Sequence, residues 1–214
     1  MSDIFREIDE ELRRDSLQQL WTRYGKYVIG LAVVVVIATA AVMGWREYKY
    51  RQYQEQGARF GAALDLARQG KNADAADAFT ALAQNADRGR ASLARLEAAA
   101  SKAASGEADG AIAIYDQLAG DNSADQVFRD MATLLAARYA LDKGDPATVV
   151  ARLQPLTNAA NPWHGLAVEL TALAELKSGD KAKARADFDG LAKDNTVTQG
   201  VRQRAAGMVQ VLGP

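Results

Sequence analysis

Four glycines, Gly70, Gly106, Gly144 and Gly179, stand 36, 38 and 35 residues apart. A period of this length announces stacked structural repeats, each too small to bury its apolar face alone. The residues around the glycines repeat as well. Seven before each lie Ala63, Ala99, Ala137 and Ala172, and twelve before lie Ala58, Ala94, Ala132 and Ala167. Five after lie Ala75, Ala111, Val149 and Ala184. Nine after lie Phe79, Tyr115, Leu153 and Phe188, and twelve after lie Leu82, Leu118, Leu156 and Leu191.

These offsets describe a helical hairpin. The glycine ends helix A, where a residue tolerant of positive φ closes the turn cheaply. Helix B starts at Lys71-Asn72, Glu107-Ala108, Asp145-Pro146 and Asp180-Lys181, and Asp145 before Pro146 has the order of an N-cap followed by proline in the first turn. Small residues let the two helices approach, and the large residue nine past the glycine fills the space between consecutive hairpins. Abundant alanine, few prolines and few β-branched runs predict an all-α domain. Residues 198–212 read as a last helix capping the exposed end of the stack.

The pattern resembles the tetratricopeptide repeat, in which a small residue, another twelve on and an aromatic four beyond mark each hairpin. Here these are Ala63-Ala75-Phe79, Ala99-Ala111-Tyr115, Ala137-Val149-Leu153 and Ala172-Ala184-Phe188. The resemblance implies an α-solenoid of about four hairpins over residues 58–214, with an extended concave face lined by helix A for peptides or proteins. It departs where the family's early tryptophan is missing, where proline near the repeat end is mostly absent, and where leucine replaces alanine twelve past the glycine.

Upstream, Tyr27 to Trp45 form an uncharged run of 19 residues that includes Gly30 and Gly44. As a helix it spans about 28 Å, close to the thickness of a bilayer core. Tyr24 and Tyr27 precede the end at Trp45, Tyr48 and Tyr50, so aromatic rings mark both interfaces, and Lys26 and Arg46 can carry their charges into water. The run reads as one transmembrane helix in contact with lipid. A cleaved signal peptide is the alternative, with Ala38-Thr39-Ala40 as its cleavage site. The preceding segment carries six acids, however, and the apolar run continues past Ala40. A buried core helix of this length would show a polar face.

Residues 1–26 form a short head. Ile4, Phe5, Ile8, Leu12 and Leu20 fall near helical spacing, as a solvated helix or a partly disordered tail would place them. Residues 46–57 continue as a polar helix, with Tyr48, Tyr50 and Tyr53 as interfacial anchors and first packing contacts of the repeat domain. Five basic residues precede the run and four follow within fifteen positions, which does not orient it. Beyond the run stand 21 basic and 21 acidic residues, so charge names no partner and no basic block suggests nucleic acid.

The residues offer almost no chemistry. There is no cysteine and one histidine, His164, so a multi-histidine metal site and thiolate chemistry are both excluded. His164 reads as a surface or cap residue beside Pro162-Trp163. Asp121-Asn122-Ser123-Ala124-Asp125 lacks the central glycine and closing glutamate of a calcium loop and reads as a helix start. No catalytic set, cofactor loop or metal site is expected, and the chain reads as a non-enzymatic scaffold. Trp163 is a candidate partner contact, with packing at a hairpin junction as the alternative. Self-association through Gly30, Ala38 and Ala41 and a cytoplasm-facing adaptor are the competing readings.

A short head with Tyr24-Gly25-Lys26, one span ending Gly44-Trp45-Arg46 and a degenerate repeat domain together resemble the YfgM-like family of ancillary subunits of the bacterial Sec translocon. That resemblance implies a single-pass inner-membrane protein with a cytoplasmic N-terminus and a periplasmic repeat domain. It also implies the translocon, periplasmic chaperones or exported chains as partners.

Overall fold

The computed structural model describes residues 2–213, with side chains from Trp21 onward except Lys143. The apolar face read for Ile4, Phe5, Ile8, Leu12 and Leu20 therefore lies outside the described side chains. Among the described residues the chain forms nine α-helices, one short 3-10 turn and no strand. It divides into two compact units, Met1–Glu55 and Gln56–Pro214.

The first unit is carried by α1 (Ser2–Arg68), which runs without a break through head, apolar run and polar continuation. Its most apolar 18-residue window has a mean hydropathy of 2.5 and is not buried at all. By length and composition this helix can cross a bilayer. Its hydroxyl is no obstacle, because Thr39 Oγ1 donates to Val35 O at 2.7 Å and so spends its hydrogen within the helix. Lys26 Nζ lies 5.1 Å from the centre of the Tyr27 ring, and Lys49 Nζ 5.6 Å from that of Trp45, so each end of the run carries a cation over an aromatic face. A Cβ added at Gly30 or Gly44 would meet nothing within 4 Å. Tyr48, Tyr50 and Tyr53 are exposed.

Within the second unit the Phe60 ring meets Phe79 edge-on at 5.1 Å. Four hairpins follow, and helix B begins in each at the residue expected. The end of α1 pairs with α2 (Asn72–Asn85), α3 (Arg88–Ala104) with α4 (Ala108–Ala119), α5 (Gln126–Lys143) with α6 (Pro146–Leu153), and α7 (His164–Ser178) with α8 (Lys181–Lys193). A 3-10 turn, Gln154–Leu156, extends α6, and α9 (Gln199–Leu212) packs on α7 and α8 as the terminal helix.

The offset residues form the core. Ala63, Ala99, Ala137 and Ala172 are fully buried, as are Ala75, Ala111 and Ala184. Phe79, Tyr115, Leu153 and Phe188 are at most 1% exposed, so each ring or leucine has left water entirely. They bridge hairpins: Tyr115 of α4 stacks on Tyr139 of α5 at 6.0 Å, within a cluster that also holds Ala132 and Ala136. Twelve before each glycine, Ala94, Ala132 and Ala167 are buried against the preceding hairpin, whereas Ala58 is exposed because no hairpin precedes the first.

The turns are not all alike. Gly70, Gly106 and Gly179 have φ of 77°, 91° and 92° and close on the same two bonds. In the last of these, Gly179 N donates to Leu176 O and Asp180 N to Glu175 O, satisfying two orphan carbonyls of α7. Gly144 departs from the positive φ expected of it, with φ −83° and ψ 170°. The cause is Pro146, which disfavours helical backbone at the preceding residue, so Asp145 is extended and the chain leaves α5 straight. Glycine is still required, because a Cβ there would lie 2.6 Å from Ala140 O. Asp145 caps α6, accepting from Thr148 N at 3.1 Å and Thr148 Oγ1 at 3.0 Å, and these bonds hold its carboxyl below the usual range.

Candidate functional site

Burial of the alanine rows leaves another stripe of each helix A accessible. Positions thirteen and six before each glycine are two turns apart and share a face. They hold Gly57 and Leu64, Leu93 and Ala100, Met131 and Arg138, and Leu166 and Leu173. Each is half-buried or exposed, Leu93 reaching 40%. Arg138 is the one charge among them. Four successive helices thus present an accessible, mainly apolar stripe of the kind that docks an extended or helical segment.

Among the described residues, two of the cavities open where a hairpin meets the helix that follows it. One, of about 230 Å³, is lined by Phe60, Leu82, Leu93 and Ala94, with Gln56 and Arg90 also lining it. Arg90 Nη1 donates to Gln56 Oε1 at 3.1 Å, and Gln56 Nε2 donates to Asn85 O at 3.2 Å. The other, of about 510 Å³, lies between the start of α7 and α9 and is lined by Trp163, His164, Val197, Thr198, Val201 and Arg204 among others.

Trp163, the candidate partner contact, packs against the cluster of Leu134, Leu153 and Leu156 and is half-buried. Its indole N–H is buried without an acceptor. The ring thus belongs to a hairpin junction and also reaches the cavity wall. His164, read as a surface or cap residue, stands half-buried at the first position of α7 with its ring tied down. Nδ1 donates to Thr157 O at 2.7 Å, and Nε2 stands 3.7 Å from Asp194 Oδ2, joining the connection before α7 to the one after α8. Among the described residues no group of three or more such side chains could hold a metal. In the 121–125 loop, Asp121 accepts from Ser123 N, Ser123 Oγ and Arg95 Nη1, which holds its carboxyl at about 2.

A set of cations that reach back one repeat escaped the sequence reading. Arg90 bonds Gln56, Arg152 holds Asp116 with both terminal guanidinium nitrogens, Lys177 caps α5, and Arg204 grips Glu169 at 2.6 Å through each of two bonds. Their sequence separations are 34, 36, 36 and 35 residues. For one of the four the sequence carries a signal, a polar residue breaking an apolar offset. Glu169 stands ten before its glycine, where the other hairpins place Phe60, Leu96 and Leu134.

No curated protein and no solved structure matches the chain. The family described as the tetratricopeptide repeat-like domain matches residues 18–208, taking in the apolar run together with all four hairpins. By that match, over most of its length, the chain belongs to the tetratricopeptide repeat-like domain family.

Proposed function

We propose that this chain is a single-pass membrane protein whose repeat domain is a non-enzymatic scaffold for protein partners, working beside the Sec translocon and the chaperones that receive exported chains. The observation that carries the scaffold reading is the accessible apolar stripe on four successive helices A. Its chemistry suits segments that are themselves apolar and not yet folded, and a near-neutral domain repels neither acidic nor basic ones. Membrane attachment draws on the exposed apolar run of α1 and on a family match that includes that run with the repeats. The inner-membrane location, the cytoplasmic head and the periplasmic repeats follow the resemblance of the whole chain to the YfgM-like family.

A photo-crosslinking side chain at Leu93 in living cells tests this reading. Crosslinks to translocon subunits, envelope chaperones or exported chains are expected. Crosslinks to cytoplasmic proteins alone, or only between copies of this chain, would overturn it. Orientation is read separately, because a cysteine-free chain accepts a single reporter. A cysteine at position 178 should react with a membrane-impermeant reagent in cells with a permeabilised outer membrane, and one at position 16 should not.

A further inference from the structure

Glu175 of α7 is a buried carboxylate that its surroundings leave half-served. It is 4% exposed, and its Oε2 receives no hydrogen bond. Its backbone is already committed, since Glu175 O takes Asp180 N and Ser178 Oγ at the end of the helix. Lys183 of α8 pairs with Oε1, its Nζ 2.5 Å away. Oε2 has no donor. One turn beyond Lys183 on the same face of α8 stands Asp187, half-buried and in reach of Glu175.

A carboxylate can only accept, whereas a carboxylic acid also donates one O–H. Two ionised carboxylates facing each other across α7 and α8 repel, with a single ammonium between them. We propose that Asp187 and Glu175 share one proton, and that this proton locks α8 onto α7 as the pH falls. Solvent supplies the proton to Asp187, whose O–H then donates to Glu175 Oε2. The trio passes from one net negative charge to none, and the orphaned oxygen gains its partner.

The charges around the pair are few. Glu175 comes from α7 and Lys183 from α8, while Asp180 in the turn acts on Lys183. Among the described residues, α5, α6 and α9, which also pack on α7, add no charge to the balance at Asp187. Burial, and then Glu175, push the Asp187 carboxyl above the usual range, against the opposing pull of Lys183. The folded chain therefore holds this proton at a pH where the unfolded chain has released it. The stabilisation is complete below the ordinary aspartate range and is lost as pH rises through the elevated value.

The test is amide exchange of the full chain in detergent micelles, corrected for the intrinsic pH dependence of exchange. In the wild type the opening of α8 should become rarer as pH falls from neutral towards the ordinary aspartate range, while α2 shows no such trend. Asp187→Asn carries a permanent donor and should lose the trend, and Glu175→Gln should lose it too. Lys183→Met removes the competing cation, so the midpoint should move to higher pH. Should Asp187→Asn fail to fold, the carboxyl carbon resonance of Asp187 in the wild type decides: titration above the normal aspartate range supports the shared proton. A wild-type trend retained in Asp187→Asn, or a normal Asp187 titration, overturns the proposal.

Discussion

Lys177 of α7 donates from Nζ to Leu141 O of α5 at 2.6 Å, and to the adjoining Asp142 O at 2.8 Å. Leu141 O is the carbonyl that the glycine N–H would take in a left-handed turn like the one at Gly179. The extended turn forced by Pro146 leaves only Gly144 N bonded back to Ala140 O, and the next hairpin supplies the missing cap. A cation at this end also meets the negative pole of the α5 dipole.

Lys177→Met should therefore destabilise the chain by about 1 kcal/mol, the size of a charge placed at a helix C-terminus. The loss should appear as earlier exchange of the last turn of α5. Urea unfolding followed residue by residue checks both. If the effect instead falls within α7 alone, Lys177 is not the cap of α5.

The glycines make a sharper case, because the same residue serves two physical ends. At Gly179 the φ of 92° is what excludes other residues, and a Cβ would meet nothing within 4 Å. At Gly144 the φ is ordinary, and the obstacle is Ala140 O. Asparagine tolerates left-handed backbone better than alanine does. Hence Gly179→Asn should be milder than Gly179→Ala, which should cost about 1 to 2 kcal/mol. At Gly144 asparagine should be no better than alanine. Melting of the four variants decides, and an equal asparagine advantage at both sites would refute the distinction.

Much of this fold is legible in the sequence, for a physical reason. Close helix approach demands a small residue, and a gap between hairpins demands a large one, so the Ala63, Ala75 and Phe79 pattern is written at every repeat. Helix B starts just past each glycine because turn and cap are local. What the sequence hides is whatever joins distant residues. Nothing local tells that Lys177 serves α5, that Arg204 serves Glu169, or that His164 reaches Asp194. At Gly144 the repeat argues for one turn and Pro146, two residues on, for another, and the proline prevails. The accessible stripe could be placed only once the alanine rows were seen to be buried.

Val35 sits near the middle of the apolar run, 54% exposed. Val35→Arg would place a charge near mid-bilayer, against insertion by about 2.5 to 3.5 kcal/mol. Val35→Leu should insert as the wild type does. Carbonate-resistant membrane fractionation checks this: the arginine variant should shift towards the soluble fraction. A wild-type chain that is itself soluble, with its N-terminus at Ala41, would mean that the run is a removed leader.

The last hairpin meets α9 through an ion pair where other hairpins use an apolar residue. The Glu169 side chain is 13% exposed and that of Arg204 is 55% exposed, so the acid is the partner that has lost its water. Such a carboxylate is tolerated only while its bidentate partner is present. Arg204→Met should leave it unpaired and cost about 1 to 3 kcal/mol, mainly through desolvation of an unsatisfied group. Restoring the apolar residue that the repeat places there changes the sign of the argument. Glu169→Leu together with Arg204→Met removes both the charge and the need for it, and should recover most of the loss, ending near the wild type or above it. A double variant less stable than Arg204→Met alone would show that the pair holds α9 by its own attraction. Thermal unfolding of the three variants in one buffer, read from α9 amides, separates the two cases.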